Sequence, residues 1–267
     1  MKRFAALLLC IGIAACGQQT PDPAEDSTAE APVAAAAVVV DYAGAVGNPA
    51  RPEADRDRDA QRKPAEVLEF FGIEPGMVVL DMFSGGGYYT EIIAYVVGDD
   101  GHVYAHSNEA YLQYVGDEFE QRYKDQRLGN VEVLMAENNE LALEPESLDA
   151  VLLALSFHDL YFAAPDEGWP AFDVPAFLAE LRSGLKPGGI VGIIDHYAAA
   201  GASAETGGTV HRIDPAIVID AMESAGFILD GQSDVLRNPA DDYSRIVFDP
   251  ELRGKTDRFV LRFRKPE

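Results

Sequence analysis

Gly76-Met-Val-Val-Leu-Asp-Met-Phe-Ser-Gly-Gly-Gly-Tyr-Tyr-Thr90 is the stretch from which the fold can be read. Four apolar residues, Met77 to Leu80, run into Asp81; a small-residue loop follows, and then a periodic segment from Tyr88 to Val97. An unbroken apolar run of that length suits a strand buried on both faces of a parallel sheet. Gly85, Gly86 and Gly87 let the chain turn sharply and let a ligand approach the backbone. The helix that follows aims its free N–H groups, the positive end of its dipole, at whatever lies above the loop. A dinucleotide fingerprint is not met, because Thr90 stands three residues after Gly87, and no Gly-Lys-Ser/Thr phosphate loop occurs.

Working outward, strands and helices alternate, as a parallel α/β sheet requires. Upstream, Pro64 opens a helix whose apolar face is Val67, Leu68, Phe70 and Phe71, expected to cover the edge of the sheet. Downstream come a strand over 102–106, a helix capped by Asn108 and running to about Asp125, and a strand Val131–Met135. A fourth strand, 147–155, delivers Ser156-Phe-His-Asp-Leu-Tyr161. A helix over 174–185 and a Lys-Pro-Gly-Gly turn lead to a fifth strand ending in Asp195-His196. The tail reads as a helix over 213–225, a strand over 227–235, a polar insertion over 237–256 able to lid a site, and a strand over 259–264. In such sheets ligands sit beyond the carboxyl ends of the strands, which places the polar residues there for chemistry.

The loop Val79-Leu-Asp-Met-Phe-Ser-Gly-Gly-Gly-Tyr-Tyr-Thr90 resembles motif I of the class I S-adenosylmethionine-dependent methyltransferases, with Phe83 in place of the first glycine. Lys186-Pro-Gly-Gly189 before an apolar strand is a frequent companion of that motif, and the chain resembles the family from about Arg51 to Pro266. It is most similar to envelope methyltransferases that carry Asp-x-x-Arg-Lys-Pro (Asp59–Pro64), His-Asp-x-Tyr (His158–Tyr161) and Arg-Gly-Lys-Thr-Asp-Arg (Arg253–Arg258). The resemblance implies a Rossmann-like, seven-stranded, mostly parallel sheet with helices on both faces and a C-terminal antiparallel hairpin. It implies S-adenosylmethionine as cofactor, held by Asp81, Phe83, Ser84, Gly85, Gly87 and Ser156. Ser107 and Asn108 stand where an acid usually meets the ribose, and Glu137 and Asn138 where the adenine amino group is read.

A sulfonium already carries a reactive methyl, so the protein must align a nucleophile and exclude water. His158 or Asp159 is the expected base; Tyr161 and His196 complete the expected catalytic set, with His196 and His211 positioning the acceptor. Neighbouring residues on a strand face opposite ways, so at most one member of each of the pairs His158-Asp159 and Asp195-His196 should face the acceptor, unless the loops have already left strand geometry. His and Asp from two loops could make a three- or four-ligand metal site, the neighbouring alternative, although no Cys-x-x-Cys or His-Glu-x-x-His spacing supports it, and no Gly-x-Ser-x-Gly elbow points to a hydrolase. With 45 acidic against 21 basic residues and a net charge of −24, the chain repels nucleic acid, which leaves a small-molecule acceptor.

The N-terminus adds a second expectation. Lys2 and Arg3 precede a short apolar run, Phe4 to Ile13, and Ile13-Ala-Ala-Cys16 follows. The run is too short to span a bilayer and reads as a secretory signal over 1–16. Its end resembles the lipobox of bacterial lipoproteins, which implies lipidation of Cys16, membrane attachment through that lipid, and a place in a bacterial cell envelope, on the periplasmic face of the outer membrane. Residues 17–50, rich in Ala, Pro and acids, read as a disordered tether reaching on the order of 30 Å, and 51–267 as the folded domain. S-adenosylmethionine is made in the cytoplasm, so a ligand-binding or scaffold lipoprotein on a methyltransferase fold stands as the alternative.

Overall fold

A computed structural model describes residues 39–267, which form one compact unit. The expected signal segment, Cys16 and the tether as far as residue 38 lie outside the described residues. Among those described, no helix is long and apolar enough to cross a membrane.

The chain enters through four short helices: α1 (Tyr42–Val46), α2 (Glu53–Arg56), α3 (Asp59–Arg62) and α4 (Pro64–Phe71). Helix α1 packs on α4, Ala45 is buried, and the Tyr42 hydroxyl donates to the Ile73 carbonyl at 2.8 Å. The fold therefore starts upstream of Arg51, and residues 39–50, expected in the tether, belong to it. Strand β1 (Val78–Met82) and α5 (Tyr88–Val97) flank the glycine loop, followed by β2 (His102–Ser107), α6 (Glu109–Val115) and α7 (Asp117–Tyr123). The helix expected to run unbroken from Asn108 is split by Gly116, whose φ of 61° and ψ of −138° no continuing helix adopts. Strands β3 (Val131–Met135) and β4 (Leu148–Ala154), helix α8 (Val174–Gly184) and β5 (Leu185–His196) come next. Helices α9 (Thr206–Val210) and α10 (Pro215–Ser224) and strands β6 (Ile228–Ser233) and β7 (Arg258–Arg264) close the chain.

The seven strands order as β3-β2-β1-β4-β5-β7-β6, with β7 antiparallel to both neighbours. That is the expected Rossmann-like sheet with its C-terminal hairpin. Alternate residues of each strand feed two cores. Leu80, Val151, Leu153, Val191 and Ile193 meet α8 and α10 on one face. Val79, Ala150, Leu152, Ile190 and Ile194 meet α4 and α5 on the other. Each large apolar side chain so buried contributes about 1.5–3 kcal/mol. Helix α4 does not sit at the sheet edge. Phe71 lies over Gly192 of the interior strand β5, where a Cβ would come within 2.8 Å of its ring. The bare backbone of Gly192 is what lets the helix approach.

Candidate active site

A cavity of about 840 Å³ opens beyond the carboxyl ends of β1, β4 and β5. Asp81, Phe83, Ser84, Gly85, Gly86 and Ser156 line one side; His158, Asp159, His196 and His211 line another. The insertion between β6 and β7 supplies Val247, Phe248, Arg253, Gly254 and Thr256, so it does wall the site. It is pinned there by Asp257, which accepts from Arg237 at 2.9 Å, the Asn238 N–H at 2.6 Å and the Tyr243 hydroxyl at 2.8 Å.

Both His158 and Asp159 face the cavity, the exception to strand alternation that a loop allows. The reason is local: Phe157–Tyr161 is a 3₁₀ turn, and the chain has already left strand geometry at Leu155, with a φ of 63°. The pair Asp195-His196, still in β5, obeys alternation. His196 lines the cavity, while Asp195, fully buried, stands behind His158. Nδ1 of His158 lies 2.8 Å from one Asp195 oxygen, and its backbone N–H donates to the other at 2.8 Å. Nε2 of His158 lies 3.2 Å from Asp159 Oδ1 and 3.2 Å from His211 Nδ1. The Tyr111 hydroxyl donates to the other Asp159 oxygen.

Burial works against a charge on His158, but the carboxylates of Asp195 and Asp159 outweigh it and raise the imidazole to about 9. At neutral pH His158 is therefore a cation clamped between two carboxylates. Burial and the His158 charge push His211 below its ordinary value. Burial likewise holds His196 well below, so it stays neutral, with Nδ1 2.7 Å from the Thr256 hydroxyl. Asp81 is raised to about 7 by desolvation, only partly offset by hydrogen bonds from Thr90, whose hydroxyl donates at 2.5 Å. The donor atoms of His158, Asp159 and His211 all lie within 4.8 Å of one another, a set able to hold a divalent cation. The structure assembles this set by bringing His211 across 53 residues to His158, which no spacing in the sequence displays.

Several expected site residues are placed elsewhere. Ser107, Asn108 and Asn138 are buried and Glu137 is exposed, and none lines the cavity. Asn108 caps α6 by accepting from the Tyr111 N–H at 2.9 Å and donates its amide to Asn138. The space between the ends of β1 and β2 holds an aromatic cluster instead. Phe83 stacks on Tyr111 at 4.7 Å and meets His106 edge-on at 5.1 Å. The positive φ of Phe83, 54°, turns it there. Gly87 also does not face the cavity: a Cβ on it would meet Arg122 Cγ and the Tyr123 hydroxyl at 2.8 Å. Tyr161 packs near Phe157, ring centroids 6.4 Å apart, away from the cavity lining.

The glycine loop is held from above. Arg122 of α7 donates to the Gly86 carbonyl at 2.7 Å and to Asp55 at 2.5 Å, and it pairs with buried Glu91. Arg127 joins Glu91 at 2.6 Å, and Arg51 grips Asp59 with two bonds of 2.8 Å. The alternating charges at 51–62 are thus structural, tying α2 and α3 to α5 and α7. Tyr111 and Arg258 are not among the expected site residues, and Arg62, although within reach of an anionic ligand on the sequence, reads first as a solvated charge. The motifs at 59–64 and 253–258 carry the signal for the two arginines; Tyr111 has none.

Residues 80–193 match the family model described as a methyltransferase domain. The chain carries a methyltransferase domain over those residues. Among solved structures it is similar to a SAM-dependent methyltransferase from Aquifex aeolicus, at 25% identity and a TM-score of 0.56, over 79% of this chain and 95% of that one. An S-adenosylmethionine-dependent methyltransferase from Mesorhizobium loti, at 14% identity and a TM-score of 0.50, covers 75% and 96%. The [4+2]-cyclase SpnF, at 18% identity and a TM-score of 0.54 over 78% and 81%, shares the fold alone. No curated protein matches the sequence. The methyltransferase cofactor is S-adenosylmethionine, and the cavity fits one end of it. Asp81, Ser84, Gly85 and the Ser156 hydroxyl, which is buried without a hydrogen-bond partner, line a polar wall suited to an amino-acid group. Of the residues expected at the ribose and adenine, Asn108 and Asn138 bond to each other, and Glu137 accepts from the Glu109 N–H at 3.5 Å.

Proposed function

We propose that this methyltransferase acts on a small-molecule acceptor at the His158–Asp159 turn, as an exported protein anchored by lipid at Cys16. The observation that carries the acceptor site is the pairing of His158 and Asp159 on the cavity wall with Asp195 fixed behind. Bound cofactor supplies a methyl group on a sulfonium, so this chain's own task is to align, deprotonate and keep dry. Asp159 Oδ1 is the proton acceptor. Its carboxylate is oriented by the Tyr111 hydroxyl on one oxygen and by the His158 imidazolium on the other. His158 is a positioning cation and not the free base, because its proton is retained up to about pH 9. Tyr111, Phe162, Trp169 and Phe248 give the cavity apolar walls that limit water.

Two measurements test this. Calorimetric titration of residues 39–267 with S-adenosylmethionine and S-adenosylhomocysteine should show binding; none at millimolar ligand would overturn the reading. Methyl-labelled cofactor incubated with a low-molecular-weight extract should pass label to a small molecule with the wild type, and far more slowly with Asp159→Asn.

The export reading rests on Ile13-Ala-Ala-Cys16 after a ten-residue apolar run and on the absence of any later cysteine. Mass spectrometry of the mature N-terminus decides it: an unmodified Cys16 or an intact Met1 would sink the anchor.

A further inference from the structure

Two motifs far apart in sequence meet on one wall of the cavity. Arg62 ends α3 and Arg258 begins β7, and both line the site, with Arg58 and Arg253 beside them. A guanidinium is always charged, and burying one without a counter-ion is costly. Yet neither Arg62 nor Arg258 has a carboxylate within ion-pair distance among the described residues. The nearby acids are already committed: Asp59 to Arg51 and Tyr88, Asp55 to Arg58 and Arg122, Asp257 to Arg237 and Tyr243.

Arg258 is only 6% exposed. Its Nη2 donates to the Gln61 carbonyl at 2.6 Å, while its Nε is buried with no partner at all. Arg62 makes no side-chain hydrogen bond among the described residues; its guanidinium lies 4.6 Å above the Tyr88 ring. Burial depresses the pKa of both groups, and neighbouring guanidiniums, Arg58 for Arg62 and Arg62 for Arg258, depress them further. The wall is a concentration of unneutralised positive charge inside a chain of net charge −24.

We infer that Arg62 and Arg258 form a built anion site that takes a carboxylate or phosphate group of the methyl acceptor. The planar fork of a guanidinium matches both groups with paired N–H donors, and an anion bridging the two arginines supplies the missing counter-charge. The Thr256 hydroxyl and neutral His196, 2.7 Å apart and lining the same wall, add a polar edge beside it. Assigning the anion to the acceptor rests on the proposed function; the anion site itself does not. The cofactor's own carboxylate is the other source of the same chemistry, and the test separates the two.

The purified chain is saturated with S-adenosylhomocysteine, which carries that carboxylate, and then titrated calorimetrically with inorganic phosphate and with succinate. The expected result is binding of one of these probes at millimolar affinity or tighter. It should weaken at least tenfold in Arg62→Gln and in Arg258→Gln, with S-adenosylhomocysteine affinity within about threefold of wild type. No anion binding to the loaded chain would overturn the inference. So would a loss of S-adenosylhomocysteine affinity in both variants while 5′-methylthioadenosine, which lacks the carboxylate, binds as before. Should Arg258→Gln fail to melt cooperatively, Arg62→Gln, at a partly exposed position, carries the same readout. Phosphate binding with no S-adenosylhomocysteine binding would overturn the proposed function, and with it the acceptor half of this inference, while leaving the anion site.

Discussion

Asp195 holds His158 at two points, its Oδ1 2.8 Å from the ring Nδ1 and its Oδ2 accepting the backbone N–H at 2.8 Å. The two residues sit at the ends of adjacent strands, so one carboxylate fixes both the ring and the turn that carries it. It also keeps a buried imidazole protonated.

Stability should therefore depend on pH with a definite sign. His158 has a folded pKa of about 9, against 6.5 for the free side chain, so its contribution is complete below 6.5 and is lost as pH rises through 9. Asp81, raised from 3.8 to about 7, acts in the same direction, since its buried carboxyl must ionise as pH rises. Melting temperature should fall between pH 6.5 and 9.5, and Asp195→Asn should flatten the upper part of that fall. A melting temperature that rises over this range would contradict the assignment.

Asp159→Asn removes the proposed proton acceptor while keeping the shape that Tyr111 packs against. Turnover should drop by about 10²–10⁴, the usual worth of general-base help, with cofactor affinity within a few-fold. If cofactor binding is lost instead and turnover per bound cofactor is unchanged, Asp159 belongs to the cofactor site.

Chelation separates proton transfer from metal chemistry at the same side chains. With Asp159 as base, turnover should survive dialysis against a chelator. A loss restored by one divalent ion, and abolished by His211→Ala, would make His158, Asp159 and His211 ligands.

Gly87→Val should act on folding and not on the ligand. A Cβ at this position meets Arg122 and Tyr123 of α7, and the φ of 77° disfavours any side chain. Denaturant unfolding should show lower stability; unchanged stability with lost ligand binding would place the ligand where α7 lies.

Glu91→Gln leaves Arg122, itself 7% exposed, without one of its two carboxylates and Arg127 with none. Breaking a buried pair on one side costs about 3–5 kcal/mol, readable as a shift in the denaturant midpoint at constant slope.

The sequence by itself determined the sheet. Apolar runs such as Met77–Leu80 and the strand over 147–155, each ended by glycine or polar punctuation, can be buried only in an interior strand, and the pattern of burial is local information. The turn from β1 into α5, the Asn108 cap and the C-terminal hairpin were legible for the same reason. Boundaries moved where a local preference met tertiary contact: α1 is ordered because it packs on α4, which its own composition does not announce.

The site was legible only in outline. Position at strand ends marked Asp81, Ser156, His158, Asp159 and His196 for the cavity, and there they lie. Which of them face one another was decided by the tertiary structure. The 3₁₀ turn turns His158 and Asp159 to the same side, Tyr111 reaches Asp159 across 48 residues, and Phe83 stacks on Tyr111. The pairing of Arg62 with Arg258 is of the same kind. Arg62 alone reads as a solvated charge, and only the fold sets it beside Arg258 where, among the described residues, no carboxylate lies within ion-pair distance of either.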